Sequence, residues 1–333
     1  MAELPTAIAQ ASLAAVPEAI RALTGRDLPV VATGGGLSEG PARVLVALLQ
    51  SAGRRARFVP QSAFAVDENV GDPSALLVMF SQGLAPNARF PVPHIRSFAH
   101  ALLVTSVRAG AGELASERVL ALRDAGCQVW TLPPASEDRL LLRVVGPGVS
   151  LVAALRIAAT LAPASFASAF AGLGGVVARA LLAPASDLFG EARRPIVIVA
   201  APQLVELAMP LRWKLLEGLR VGDPPVWDPL QFAHGPLQSV FEERTSFVLL
   251  RCANDASDEL FARLRDVLSR AAPGLHHVVE LRAALDAPLA VVELDALLDA
   301  ALLATLARHP LALDDWPCRG EDGPLYDLSP KDA

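Results

Sequence analysis

Apolar residues fall along this chain in two patterns: short runs that are apolar at every position, and longer stretches with apolar residues three or four apart. The runs VVAT, ALLVMF and ALLVTS predict strands at 29–33, 75–80 and 101–105 that are covered on both faces. Helical spacing predicts helices over 39–53, 88–98 and 113–125, and shorter runs add strands at 56–59 and 127–131. Alternation of this kind predicts a parallel sheet with helices on both faces. Ahead of it, MAELPTAIAQASLAAVPEAIRAL reads as an amphipathic helix. With Glu3, Glu18 and no basic lead-in, it does not read as a secretion signal.

Residues 157–178 carry no charge, a stretch as long as a membrane span. Pro163, Gly172, Gly174, Gly175 and many Ala and Ser residues dilute its hydrophobicity, so it predicts a buried pair of helices instead. Beyond the Pro-, Gly- and charge-rich stretch Ala183–Pro195 the pattern restarts with PIVIVAA at 195–201. A helix over 204–219, a Pro-rich loop GDPPVWDP, a short helix from Pro236, a strand at 246–251, a helix over 257–271, a strand at 276–280 and a helix over 292–308 follow. Two βαβ-rich halves, 1–165 and 166–333, suggest internal duplication about a pseudo-two-fold axis.

Apolar residues make up 53% of the 333 positions and charged residues 19%, as expected of well-covered helices and strands. The formal net charge of −6 and the lack of any basic cluster remove the electrostatic case for nucleic acid or an acidic membrane, leaving a small molecule as the expected partner. Cys127, Cys252 and Cys318 are odd in number, far apart and free of C-x-x-C spacing, which fits a reducing cytoplasm. No carboxylate or cysteine stands at ligand spacing from His276 and His277, so no metal and no cofactor is expected. Cys127 opens an apolar strand and reads as core.

Ligands of parallel sheets gather at the carboxyl ends of the strands, and three polar turns fall there: Thr33–Ser38, Ser81-Gln82-Gly83 and Thr105-Ser106. Gly34, Gly35 and Gly36 permit positive φ and close approach before a helix whose first N–H groups are free, which makes a cradle for an anion or sugar hydroxyls, or a tight turn without a ligand. The glycines lack both dinucleotide and nucleotide-phosphate spacing. In the second half, RWKLLEG places Lys214 and Glu217 on one helix face, and QFAHGPLQSV holds His234 before a Gly-Pro turn. A carboxylate and an imidazole at one ligand would supply acid/base chemistry near neutral pH. The plainer reading makes Lys214 and Glu217 a solvated ion pair. Trp227 and Asp228, just before the HGP segment, either close over a ligand or pack a surface loop.

Taken in order, the strand with its GxGxS loop, the strand ending in Ser-Gln-Gly, the K-x-x-E helix and the HGP segment resemble the sugar isomerase (SIS) domain family in its double-domain form, over residues 27–310. The resemblance implies two tandem SIS domains, each a parallel sheet flanked by helices. Gly35, Gly36, Ser38, Ser81 and Gln82 would line the sugar-phosphate loops, with Thr105 at the neighbouring strand end. Glu217 would shuttle a proton between C1 and C2 through an enediol, Lys214 would lie near the pocket, and His234 would assist ring opening, often in the partner subunit's site. A synthase of this family also uses a lysine near its C-terminus as a Schiff base. Only Lys331 stands near the end here, in a tail LSPKDA without further match, and no role is carried onto it.

One turn departs from the family's S-x-S-G-[ED]-[ST]: it reads Ser81-Gln82-Gly83-Leu84-Ala85-Pro86-Asn87, with hydroxyls lost at Gly83 and Pro86. Each lost bond to a phosphate oxygen would weaken binding by about 1.5–3 kcal/mol. Ser38, Asn87 or Arg89 would have to compensate, or the substrate is an unphosphorylated sugar, an N-glycoside or a sugar-like metabolite. The second half has Ala200-Ala201-Pro202-Gln203 in place of a glycine loop and is expected to supply catalytic side chains. The chain thus reads as a cytoplasmic homodimeric isomerase with its site between halves and between subunits. The alternative is a non-catalytic protein that senses a sugar phosphate.

Overall fold

Val30–Thr33 forms β1 in the computed structural model, which describes residues 1–107, 113–133, 137, 140–166, 170–271, 274–315 and 317–328. Before β1 lie α1 (Leu4–Leu13) and α2 (Glu18–Arg21); Pro17 separates what the sequence predicts as one helix, because its ring removes an N–H and restricts Val16. Downstream follow α3 (Glu39–Ser51), β2 (Ala56–Phe58), α4 (Ala63–Val66), β3 (Leu76–Phe80), β4 (His100–Thr105), α5 (Glu113–Asp124), β5 (Gln128–Thr131) and α6 (Val145–Leu161). The five strands are all parallel, in the order β2-β1-β3-β4-β5. Since β2 and β3 lie on opposite sides of β1, the strand order reverses between β1 and β3, the position at which parallel sheets of this kind bind ligands.

Burial on both faces explains the continuous apolar runs. Val31, Leu77, Met79, Ala101 and Leu103 form a core with Phe64 of α4 and Val119 and Leu122 of α5. The alternate residues Val30, Ala32, Leu76, Val78, Leu102 and Val104 are also buried and point to the opposite face, where α3 and α6 pack. α6 is buried along nearly its whole length against α1, α2 and α3, as a sequence with Arg156 as its one charged residue requires. The predicted helix over 88–98 is instead two 3-10 turns, Pro86–Arg89 and Val92–Ser97. Pro91 and Pro93 lack the N–H groups an α-helix needs there. The uncharged stretch 157–178 covers the end of α6 and the start of α7 (Leu173–Leu182). Among the described residues no helix is long and apolar enough to cross a membrane.

The chain divides into two units: Met1–Gly174 with the C-terminal segment from Asp314, and Gly175–Leu313. The second unit holds β6 (Ile196–Ala200), α8 (Met209–Leu219), β7 (Val226–Trp227), α9 (Pro229–Ala233), α10 (Pro236–Val240), β8 (Ser246–Arg251), α11 (Asp258–Ser269), β9 (His277–Arg282) and α12 (Ala290–Arg308). Its strands are again all parallel, in the order β7-β6-β8-β9. The helix predicted from 204 begins at Met209, because Pro210 is tolerated only in a first turn; a 3-10 turn, Pro202–Leu204, precedes it. β7 and α9 arise inside the Pro-rich region, where the sequence predicts only a loop.

Candidate functional site

Thr33 of β1 and Met79 of β3 are register partners, so the Gly34–Ser38 loop and the Ser81–Leu84 turn leave the first sheet side by side. The loop closes through a Ser38 N–H bond to the Gly35 carbonyl, and only Gly36 of the three glycines takes positive φ, at 56°. A Cβ on Gly34 would collide with the Ser38 carbonyl, and one on Gly35 would lie 2.6 Å from Oε1 of Gln61. Gly34 is therefore demanded by the loop's own backbone and Gly36 favoured by its left-handed φ, whereas at Gly35 only the far end of the flexible Gln61 side chain would have to shift. Ser38 is buried at the head of α3.

At the neighbouring turn, Oγ of buried Ser81 accepts the Leu84 N–H at 3.2 Å, with Leu84 itself in the left-handed region at φ 50°. Thr105 Oγ1 donates to the Gln82 carbonyl and accepts the Val107 N–H, both at 3.2 Å. The Thr105 hydroxyl is thus committed within the fold, whereas the buried Oγ of Ser106 beside it has no hydrogen-bond partner among the described residues. The Gln82 Oε1 would lie 2.5 Å from a Cβ on Gly146 in α6, and its Nε2 is buried without a partner. Asn87 lies half-buried on the 3-10 turn Pro86–Arg89. Gly35, Gly36, Ser38, Ser81, Gln82, Asn87 and Thr105 are all in the first unit, on strand ends and turns of one sheet edge.

Arginines gather at this turn. Arg118 of α5 donates from Nη1 to the Leu84 carbonyl at 2.7 Å, and Nη1 of Arg143 is 3.9 Å from where a Cβ of Gly83 would stand. Burial holds Arg118 below the ordinary guanidinium pKa, and the positive charge of Arg89 pushes it the same way. Among the described residues, the buried Nε atoms of Arg89 and Arg118 have no acceptor. The N-terminus of α6 is already filled: the Glu137 carboxylate accepts from the N–H groups of Val144, Val145 and Gly146 at 2.6, 2.7 and 3.0 Å. Arg118, Arg143 and Glu137 are absent from the sequence reading, since nothing in their local pattern shows where the fold brings them, while Ser106 enters it only as part of the polar Thr105-Ser106 turn.

The second unit carries the three proposed catalytic positions. Lys214 is fully buried, its ammonium 2.8 Å from Asp295 and 2.8 and 2.9 Å from the two oxygens of Asp299 on α12. It is neither solvent-facing nor half of a surface pair with Glu217. Burial alone would lower its pKa, but the two aspartates outweigh that and hold it above the ordinary lysine value. The signal was legible: Asp295 and Asp299 stand four apart in the otherwise apolar face of α12, and buried carboxylates require a cation. Glu217 is half-buried one turn further along α8. His234 caps the C-terminal end of α9 and is exposed; Gly235 beside it has φ 149°. Asp228 is the N-cap of α9, accepting from Leu230 and Gln231 at 2.9 and 3.2 Å. The Ala200–Gln203 segment forms no cradle; Gln203 Nε2 donates to buried Cys252 Sγ at 3.2 Å. Lys331 lies outside the described residues.

No protein-family model and no curated protein sequence matches the chain. Solved structures do. The C-terminal domain of glucosamine-fructose-6-phosphate aminotransferase from Francisella tularensis overlays 91% of this chain and 94% of its own, with a TM-score of 0.63 at 14% identity. Tagatose-6-phosphate ketose/aldose isomerase from Escherichia coli covers 94% of each chain, with a TM-score of 0.65 at 17% identity. Glucosamine-6-phosphate deaminase from Thermotoga maritima covers 95% of this chain and 97% of its own, with a TM-score of 0.63 at 13% identity. At such identities the likeness is one of fold. The chain has the α/β fold of these sugar-phosphate isomerase and deaminase structures, with parallel sheets flanked by helices, as the sequence resemblance implies.

Proposed function

We infer that the protein is a sugar or sugar-phosphate isomerase of the aldose-ketose or amino-sugar type, built from two tandem sugar isomerase domains. The observation that carries the reading is the setting of Glu217. It is half-buried on α8, in a fold shared with sugar-phosphate isomerases, on a helix pinned by the buried Lys214–Asp295–Asp299 cluster. A carboxylate on so anchored a helix keeps the narrow geometry that proton transfer needs. Lys214 then acts as a positioning residue rather than on the substrate.

In the proposed reaction Glu217 takes the proton from C2 of the open-chain aldose, and the released electron pair forms the C1–C2 double bond of an enediol as the C1 oxygen gains a proton. The C2 hydroxyl then gives up its proton, the carbonyl re-forms at C2, and Glu217 returns its proton to C1. His234 assists ring opening at the ring oxygen. Its exposure supports a role in a partner subunit's site, and with it a homodimer. The second reading, a non-catalytic sugar-phosphate sensor, draws support from the same exposure.

The test incubates the protein with hexoses and hexose phosphates in D2O and follows exchange at the carbon next to the carbonyl by NMR. Glu217→Gln is expected to lower exchange by about 10²- to 10⁴-fold while ligand-induced thermal stabilisation persists. Equal exchange in the variant removes Glu217 as base. Absence of exchange in the unmodified protein across the panel leaves the sensor reading.

A further inference from the structure

Four buried donors on and beside the 81–89 turn have no acceptor among the described residues: Gln82 Nε2, Arg89 Nε, Ser106 Oγ and Arg118 Nε. They come from three segments, the turn itself, the end of β4 and α5, joined by the Arg118–Leu84 and Thr105–Gln82 bonds. Arg143 reaches the same turn beside Gly83. None of the three arginines is paired with a carboxylate among the described residues, and the Glu137 carboxylate is spent on the N-terminus of α6. Like charges gathered in half-buried surroundings repel, and unfilled buried donors each carry a desolvation cost. An acceptor-rich anion relieves both.

The turn itself cannot hold that anion as the family's turn does. Its Leu84 N–H is taken by Ser81, and Pro86 has no N–H to offer. We propose that Arg89, Arg118 and Arg143, with Ser106 and Gln82, form a phosphate subsite that takes the monoester dianion of a sugar phosphate in place of the hydroxyls missing at Gly83 and Pro86. Planar guanidinium forks suit a phosphate's oxygens, and three of them exceed in charge what the lost hydroxyls supplied. The proposal rests on the isomerase reading for the sugar, and on the turn alone for the phosphate.

Isothermal titration of the full chain with inorganic phosphate, fructose 6-phosphate and fructose tests it. Both phosphates are expected to bind, and fructose at least tenfold more weakly than its phosphate. Arg89→Gln and Arg143→Gln, which leave the Arg118–Leu84 bond in place, should each weaken phosphate binding about tenfold or more. Arg89→Lys, keeping the charge without the fork, should recover part of the loss. Failure of both phosphates to bind, or unchanged binding in the Arg89→Gln and Arg143→Gln double variant, overturns the subsite. Deuterium exchange on unphosphorylated sugars without phosphate binding overturns it and spares the isomerase. Phosphate binding without exchange does the reverse.

Discussion

Lys214 shows how a single residue changes meaning between sequence and structure. Spacing placed it on a helix face with Glu217, and the family resemblance placed it near a pocket. The fold buries it completely between Asp295 and Asp299. Lys214→Met should therefore lower the unfolding free energy by about 3–5 kcal/mol, because two carboxylates would be left buried without their cation. The shift in the urea midpoint measures it; a lysine that only touched substrate would leave the midpoint in place. The raised pKa makes the contribution whole at every pH below the unfolded lysine's value, and only strongly alkaline solution removes it. Substitution is thus the practical probe. The glycines tell a similar story: Gly34 is required by the Ser38 carbonyl and Gly36 favoured by its left-handed φ, so the triple glycine on its own is no measure of a ligand.

Among elements, the strands followed the sequence closely and the helices less so, for a reason visible in the prolines. Continuous apolar runs end sharply at polar turns, which is why β1, β3, β4, β6 and β8 fall within a residue or so of the predicted limits. Helical periodicity over 88–98 survived even though Pro91 and Pro93 forbid an α-helix, and 3-10 turns present the same apolar residues, Phe90 and Ile95, to the core. The short helix α9 depends on its cap: Pro229 stands in its first turn, and Asp228 supplies the two missing acceptors. Asp228→Ala should cost about 0.5–2 kcal/mol in a denaturant titration, and through α9 it should disturb His234. No change in stability would show that the cap contributes nothing measurable. The sequence offered Asp228 as a residue closing over a ligand or packing a loop; its hydrogen bonds place it in the cap.

At the scale of the whole molecule, the low charge content and long apolar runs find their match in two all-parallel sheets, each sheltered by helices. The three cysteines report on that shelter. Cys127 lies in the core beneath β4, where burial pushes its thiol up to about 12, and Cys252 is likewise buried and raised, while Cys318 is exposed. A thiol reagent at neutral pH should label one cysteine per native chain quickly, Cys318, and the other two only on unfolding. Mass spectrometry after brief labelling gives the count, and rapid reaction of two or three would contradict the packing described for both sheets.

Element order, the parallel sheets and the placing of polar turns at strand ends were determined by the sequence itself, because strand burial and turn chemistry are local properties of consecutive residues. The pairing of Lys214 with α12, the occupation of the α6 N-terminus by Glu137 and the gathering of Arg89, Arg118 and Arg143 around one turn were decided only by the tertiary structure. Lys214 stands 85 residues from Asp299 and the three arginines lie on separate segments, so their charges meet only when sheet order brings those segments together; Glu137 lies seven residues before Val144, but no periodic pattern marks it as a cap. The glycine loop thus answers first to its own backbone, and the neighbouring turn that lacks two hydroxyls has beside it Arg118 and Arg143, which no local pattern announces.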